Sequence, residues 1–175
     1  MNNISKSTLK TYLNQRSREQ LIADIADLFT KFRVVRNYYQ ARLYPVDEEQ
    51  LVRKYKTVIQ REFFPERGFG KARRSVARQA ISEYKKVSRD PLGLADLMIF
   101  FVEMGVRFTN EYGDIDEPFY NSMESMYHKA LQHIMKYAVQ DTFELRCRKI
   151  VDDSYHTGWG FHDTLSEMFY EYYDR

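Results

Sequence analysis

Apolar residues recur at three- and four-residue steps along this chain, and the residues that break such a pattern are scarce, 7 Gly and 4 Pro in 175. A period near 3.6 places apolar side chains on one face of a helix. Most of the few Gly and Pro fall where the periodicity stops, which disfavours a turn-rich β sandwich and suits helices joined by short loops. The pattern predicts an all-α chain. At this length it can bury one sizeable core and is too short for two independent ones, so a single domain over 1–175 is expected.

The spacing resolves the elements. Residues 7–13 read as a short first helix, and Ser17-Arg18-Glu19-Gln20 has the spacing of a capping box that opens the next. The apolar stripe of that helix, Leu21, Ile22, Ile25, Leu28, Phe29 and Phe32, is expected to bend or break near Lys31 before Val34, Val35, Tyr38, Tyr39 and Leu43, with Pro45 as the stop. Asp47 supplies a cap, followed by two acids in a first turn where the helix dipole favours them, and that helix should run to about Phe64. Pro65-Glu66-Arg67-Gly68-Phe69-Gly70 reads as a loop before a helix over 71–87. Asp90-Pro91-Leu92-Gly93 then breaks the pattern before 94–110. Gly113-Asp114-Ile115-Asp116 makes a turn with Asp114 or Asp116 as cap, and helices over 117–138, 141–155 and 161–173 complete the chain. Short connectors make neighbouring helices antiparallel, so the expected fold is a helical bundle or stacked helical hairpins of about seven to eight helices.

Charge is divided unevenly. Residues 1–90 carry 20 Lys and Arg against 10 Asp and Glu, whereas residues 91–175 carry 7 against 15. Such a chain should present one surface that attracts anions and another that repels them. The only cysteine, Cys147, excludes an internal disulfide and any multi-cysteine metal site, and its apolar neighbours predict a buried thiol. Met1-Asn2-Asn3-Ile4-Ser5-Lys6 lacks the apolar stretch of a signal peptide. The greasiest run, 92–108, is interrupted by Asp96, Glu103 and Arg107, which makes it a core helix and not a membrane span. A cytoplasmic protein with no membrane partner is expected.

Several stretches resemble a known family. Asp96-Leu97-Met98-Ile99-Phe100-Phe101-Val102-Glu103, Phe108 to Glu117, Phe119-Tyr120-Asn121-Ser122-Met123 and the opening Leu9-Lys10-Thr11-Tyr12-Leu13 with Ser17, Glu19, Gln20 and Leu21 are similar to a bacterial family of short helical proteins classed as a domain of unknown function. The resemblance covers most of the chain. It implies a single bacterial cytoplasmic domain, and it carries over no activity, cofactor or catalytic residue.

The strongest candidate for chemistry is the basic helix. At 100° per residue Lys71, Arg74, Arg78, Lys85 and Arg89 fall within an arc of about 60°, away from the apolar arc of Val76, Ala77, Ala80, Ile81, Tyr84 and Val87. Lys71, Arg73 and Arg74 are expected in the first turn, where the dipole penalises cations by roughly 0.3 to 1 kcal/mol each. That local conflict, together with Gly68-Phe69-Gly70 before a helix start, suits anion binding. The competing reading starts the helix nearer Glu66 and makes the stripe a solvated face paired with the acidic half. A P-loop is excluded, because neither the spacing nor the magnesium-binding hydroxyl is present. Arg53-Lys54-Tyr55-Lys56 and Lys31, Arg33 and Arg36 could extend a basic footprint, with Tyr38, Tyr39, Tyr55 and Phe69 able to stack unpaired bases or to pack in the core.

The acidic half offers Glu124 and His128 one turn apart, yet the Glu-x-x-His pair of di-iron bundles is missing and His133 points elsewhere on the helix. Gly113 to Glu117 fails the calcium-loop pattern, so capping explains its acids and no metal or cofactor is expected. Trp159, between Gly158 and Gly160, is expected to plug a helix corner; exposed, it would be a protein-binding hot spot. The leading functional expectation is a non-enzymatic binding protein that engages an anionic partner such as nucleic acid through Lys71, Arg73, Arg74, Arg78, Lys85 and Arg89. Its rivals are a protein-interaction module or homodimer that pairs basic with acidic halves, and an enzyme with an unrecognised helical site.

Overall fold

The structure, a computed structural model, describes residues 5–43 and 47–174. Among them nine α-helices form and no strand does, which agrees with the all-α expectation: α1 (Lys6–Asn14), α2 (Arg18–Lys31), α3 (Arg33–Leu43), α4 (Glu48–Phe63), α5 (Arg74–Val87), α6 (Pro91–Tyr112), α7 (Glu117–Lys136), α8 (Gln140–Asp153) and α9 (Phe161–Tyr173). The ninth helix comes from the expected break near Lys31. Phe32 leaves helical geometry at φ −120° and ψ 116°, which separates α2 from α3. The expected stop at Pro45 and the segment before Ser5 lie outside the described residues.

Local signals set most boundaries. Ser17 and Gln20 form the capping box in both directions, Gln20 N donating to Ser17 Oγ at 3.2 Å and Ser17 N to Gln20 Oε1 at 3.0 Å. Asp90 accepts from Leu92 N and Gly93 N, so α6 begins at Pro91 and takes in Gly93, three residues earlier than the periodicity alone suggests. Asp116 caps α7, accepting from Phe119 N at 2.8 Å.

The chain groups into two compact units, Met1–Pro45 and Val46–Arg175. No side chain described in the first is buried, so the hydrophobic core of the described residues belongs entirely to the second. At its centre α6 buries most of its length, Leu94 to Thr109, and keeps one polar edge at Asp96, Glu103 and Arg107; it packs against α4, α5, α7 and α8 while α9 closes over α7 and α8. Phe63, Phe101 and Phe108 meet edge to face at 5.8 and 5.9 Å.

Cys147 lies fully buried in this core on α8. Burial pushes its thiol up to about 12, with the Tyr173 hydroxyl and the Arg146 charge pulling the other way. Since the thiolate is the reactive form, the native protein should react with Ellman's reagent only as fast as it unfolds. Rapid labelling without denaturant would contradict this burial.

Candidate anion-binding site

α5 and α7 flank α6 and turn basic edges toward the same side. On α5, Arg78, Ser82 and Lys85 follow at steps of four and three; on α7, Lys129, His133 and Lys136 do the same. Together with Gln132 they border a groove of about 450 Å³ whose floor is Ile81, Leu94, Met98 and Met126. Among the described residues no carboxylate lines it. Residues 46–175 hold 19 Lys and Arg against 22 Asp and Glu, so this basic groove is a local segregation of charge on an acidic unit.

Two of the lining side chains are held in place. Arg78 Nη2 donates to the Ser122 carbonyl at 2.9 Å and so ties α5 to α7, and burial, followed by the Arg74 charge, pushes its guanidinium below the ordinary value. A guanidinium stays charged regardless. His133 Nε2 lies 3.0 Å from the Pro91 carbonyl at the start of α6. Burial lowers its affinity for a proton; the Pro91 carbonyl opposes this, while Lys85 and Lys136 push the same way as burial. A histidine kept neutral by the fold contributes stability above its ordinary value of 6.5, and that contribution is lost as pH falls below it.

The expected stripe is divided. Arg78 and Lys85 face the groove, but Lys71 and Arg89 lie outside α5, which begins only at Arg74, so helical spacing does not apply to them. The late start has a local cause. Arg73 grips Glu62 in a two-point pair at 2.8 and 2.9 Å, and Ala72 N donates to the Glu62 carbonyl at 2.8 Å, which pins the incoming segment across the end of α4. Arg74 lies 3.7 Å from Asp116 and over the Phe119 ring. Both readings of the helix start, at Lys71 or nearer Glu66, are thus corrected, and the loop at Gly68 to Gly70 does not lead directly into a helix N-terminus.

Other expected contributors are engaged elsewhere. Tyr55 is buried edge to face against Tyr84 at 5.7 Å, Lys56 pairs with Asp96 at 2.7 Å and Arg53 with Glu49 at 3.0 Å. His128 lies 2.7 Å from Gln132 and edge-on to Tyr172, and burial raises the Glu124 carboxyl. Among the described residues no three His, Cys, Asp or Glu side chains converge as metal ligands. Asp114 accepts from the Tyr120 hydroxyl at 2.6 Å and Gly158 N at 3.1 Å, fastening the α6–α7 turn to the turn after α8. Trp159 is no plug: it is 62% exposed at φ 63° on that turn. Sequence reasoning misses Lys129, His133 and Lys136 as a set, although their four-and-three spacing is visible, because nothing local marks α7 as a neighbour of the α5 edge.

The sequence pattern of a family of unknown function, DUF6155, matches residues 4–174. The chain belongs to DUF6155. The match spans both units of this DUF6155 chain. No curated protein and no solved structure matches it.

Proposed function

We propose that the protein is a non-enzymatic binding protein whose groove between α5 and α7 engages an anionic partner, nucleic acid foremost. The observation that supports this reading is the gathering of Arg78, Lys85, Lys129 and Lys136 around one groove, with no carboxylate among its described lining residues, on a unit whose charge is otherwise acidic. Like charges held together raise the energy of the free protein, and an anion relieves it. A cytoplasmic location in a bacterium belongs to the same reading.

The test is a salt titration of binding to a single-stranded oligonucleotide. Changing Lys129 and Lys136 to Gln should flatten the log-log slope by about 0.7 for each phosphate that is no longer neutralised. Binding should also tighten from about pH 8 to about pH 6, because an anion offsets Lys85 and Lys136 and lets His133 take up a proton. Undetectable binding at low salt, or binding indifferent to the double variant, overturns the reading.

A second reading, a protein-interaction module or homodimer, is favoured by α1 to α3. Within that unit Ile22, Phe32, Val34 and Leu43 are all more than half exposed, and isolated segments of this length seldom fold without added support. Light scattering in solution decides it: a dimer mass that falls to monomer with Phe32→Ser supports association through this unit, and a monomer mass in the unaltered protein removes the homodimer.

A further inference from the structure

The floor of the groove is as informative as its rim. Core residues facing inward from the same helices, Leu97, Ile99, Ala130 and Leu131, are 0% exposed, whereas Ile81, Leu94, Met98 and Met126 keep 6 to 9%. A little apolar surface therefore stays accessible within the groove, bordered by the cations of α5 and α7. A bare phosphodiester satisfies the cations and leaves that surface wet, which forgoes the hydrophobic contribution of covering it. The volume lies in the range of small-molecule sites, about 300 to 1,000 Å³, which are mostly apolar with a few placed polar groups. Two of the four floor residues are methionines, whose unbranched thioethers adapt to ligands of varied shape. Lys85, His133 and Lys136, from two helices, all border this groove, and both lysines lie near enough to His133 to act on its charge.

Resting on the anionic-partner reading, we propose that the groove binds a small amphipathic organic anion, its apolar body on Ile81, Leu94, Met98 and Met126 and its single phosphate or carboxylate head among Lys85, His133 and Lys136. The match is one of charge and of surface together. The cations supply the head's counter-charge with no carboxylate among the described lining residues, and the body covers the part of the core that α5 and α7 leave open on this side.

The experiment is calorimetry on the full chain with hexyl phosphate, decyl phosphate, decanol and inorganic phosphate, each below its micelle concentration, beside a single-stranded oligonucleotide. Decyl phosphate should bind one to one, and affinity should rise roughly two- to four-fold for each added methylene that is buried. Inorganic phosphate and decanol should bind at least tenfold more weakly than decyl phosphate. Lys85→Gln with Lys136→Gln, both at exposed positions, should weaken decyl phosphate at least tenfold without lowering the melting temperature. Equal affinity for hexyl and decyl phosphate, or for inorganic phosphate, overturns the proposal, and so does decyl phosphate binding that ignores the double variant. If the oligonucleotide binds and decyl phosphate does not, the amphipathic ligand is wrong and the anionic-partner reading stands; if neither binds, both fall.

Discussion

Replacing Gly70 by Ala is expected to destabilise the protein by about 3 kcal/mol, a loss of roughly 10 °C in melting temperature. The cause is space. A Cβ at residue 70 would land on the Phe63 carbonyl, which is backbone at the end of α4 and cannot swing aside as a side-chain tip could. To make room, the chain must lift away from α4, and the Ala72 to Glu62 hydrogen bond and the Arg73–Glu62 pair lie within two to three residues of the clash. Glu62 is 8% exposed, so losing Arg73 would leave a buried carboxylate without its partner. Gly68→Ala separates the two kinds of glycine cost. That residue sits at φ 78° with open space around its missing Cβ, so only the backbone penalty of about 1 kcal/mol applies. Thermal denaturation of both variants checks this. Equal and small losses would show that the 64–73 loop is not held against α4.

The contrast between these glycines shows what a sequence makes legible. Gly68 is readable as a turn residue from its setting, Pro65 to Gly70, because turn chemistry is local. Gly70 has no local signature, since its neighbour is a carbonyl seven residues back that only a finished tertiary structure brings close. The helices are legible for the same reason as Gly68: the Ser17 and Gln20 box, the Asp116 cap and the 3.6-residue stripes depend on residues within two turns of one another. The start of α5 is not, because the Arg73–Glu62 pair reaches across a loop and overrides the tendency of Lys71 to Val87 to continue as one helix. The groove divides in the same way. Arg78 and Lys85 are found on α5 by spacing alone, whereas Lys129, His133 and Lys136 gain meaning only once α7 lies across α6 from α5. Trp159 defeats a sequence reading because a flanking pair of glycines is compatible with a buried corner and with an exposed turn, and the choice is made by Asp114 holding Gly158 from another loop.

Arg146→Met is expected to cost about 2 kcal/mol, and adding Glu103→Leu is expected to recover most of it. Arg146 on α8 grips both oxygens of Glu103 at 2.8 Å and Asp96 Oδ1 at 2.6 Å, both on α6, while Lys56 of α4 reaches the same Asp96 oxygen at 2.7 Å. Three helices meet at one carboxylate oxygen, Asp96 Oδ1. Burial works against the charge of the Arg146 guanidinium, and the hydrogen bonds and charges of Glu103 and then Asp96 outweigh burial and hold it firmly protonated. Removing Arg146 alone strands Glu103, whereas Asp96 keeps Lys56. The side chains of Arg146, Glu103 and Asp96 are 33, 27 and 23% exposed, so solvent screens part of the loss and the expected cost falls below the 3 to 5 kcal/mol of a fully buried pair. The double variant replaces both charges with apolar side chains that can pack beside Phe143 and Ile150, and it leaves no unpaired ion behind. Urea denaturation of the two variants and the parent measures the coupling. A single variant within about 0.5 kcal/mol of the parent would mean that water already satisfies Glu103; a double variant no better than the single would mean that the network holds α8 to α6 by its geometry and not by the balance of its charges.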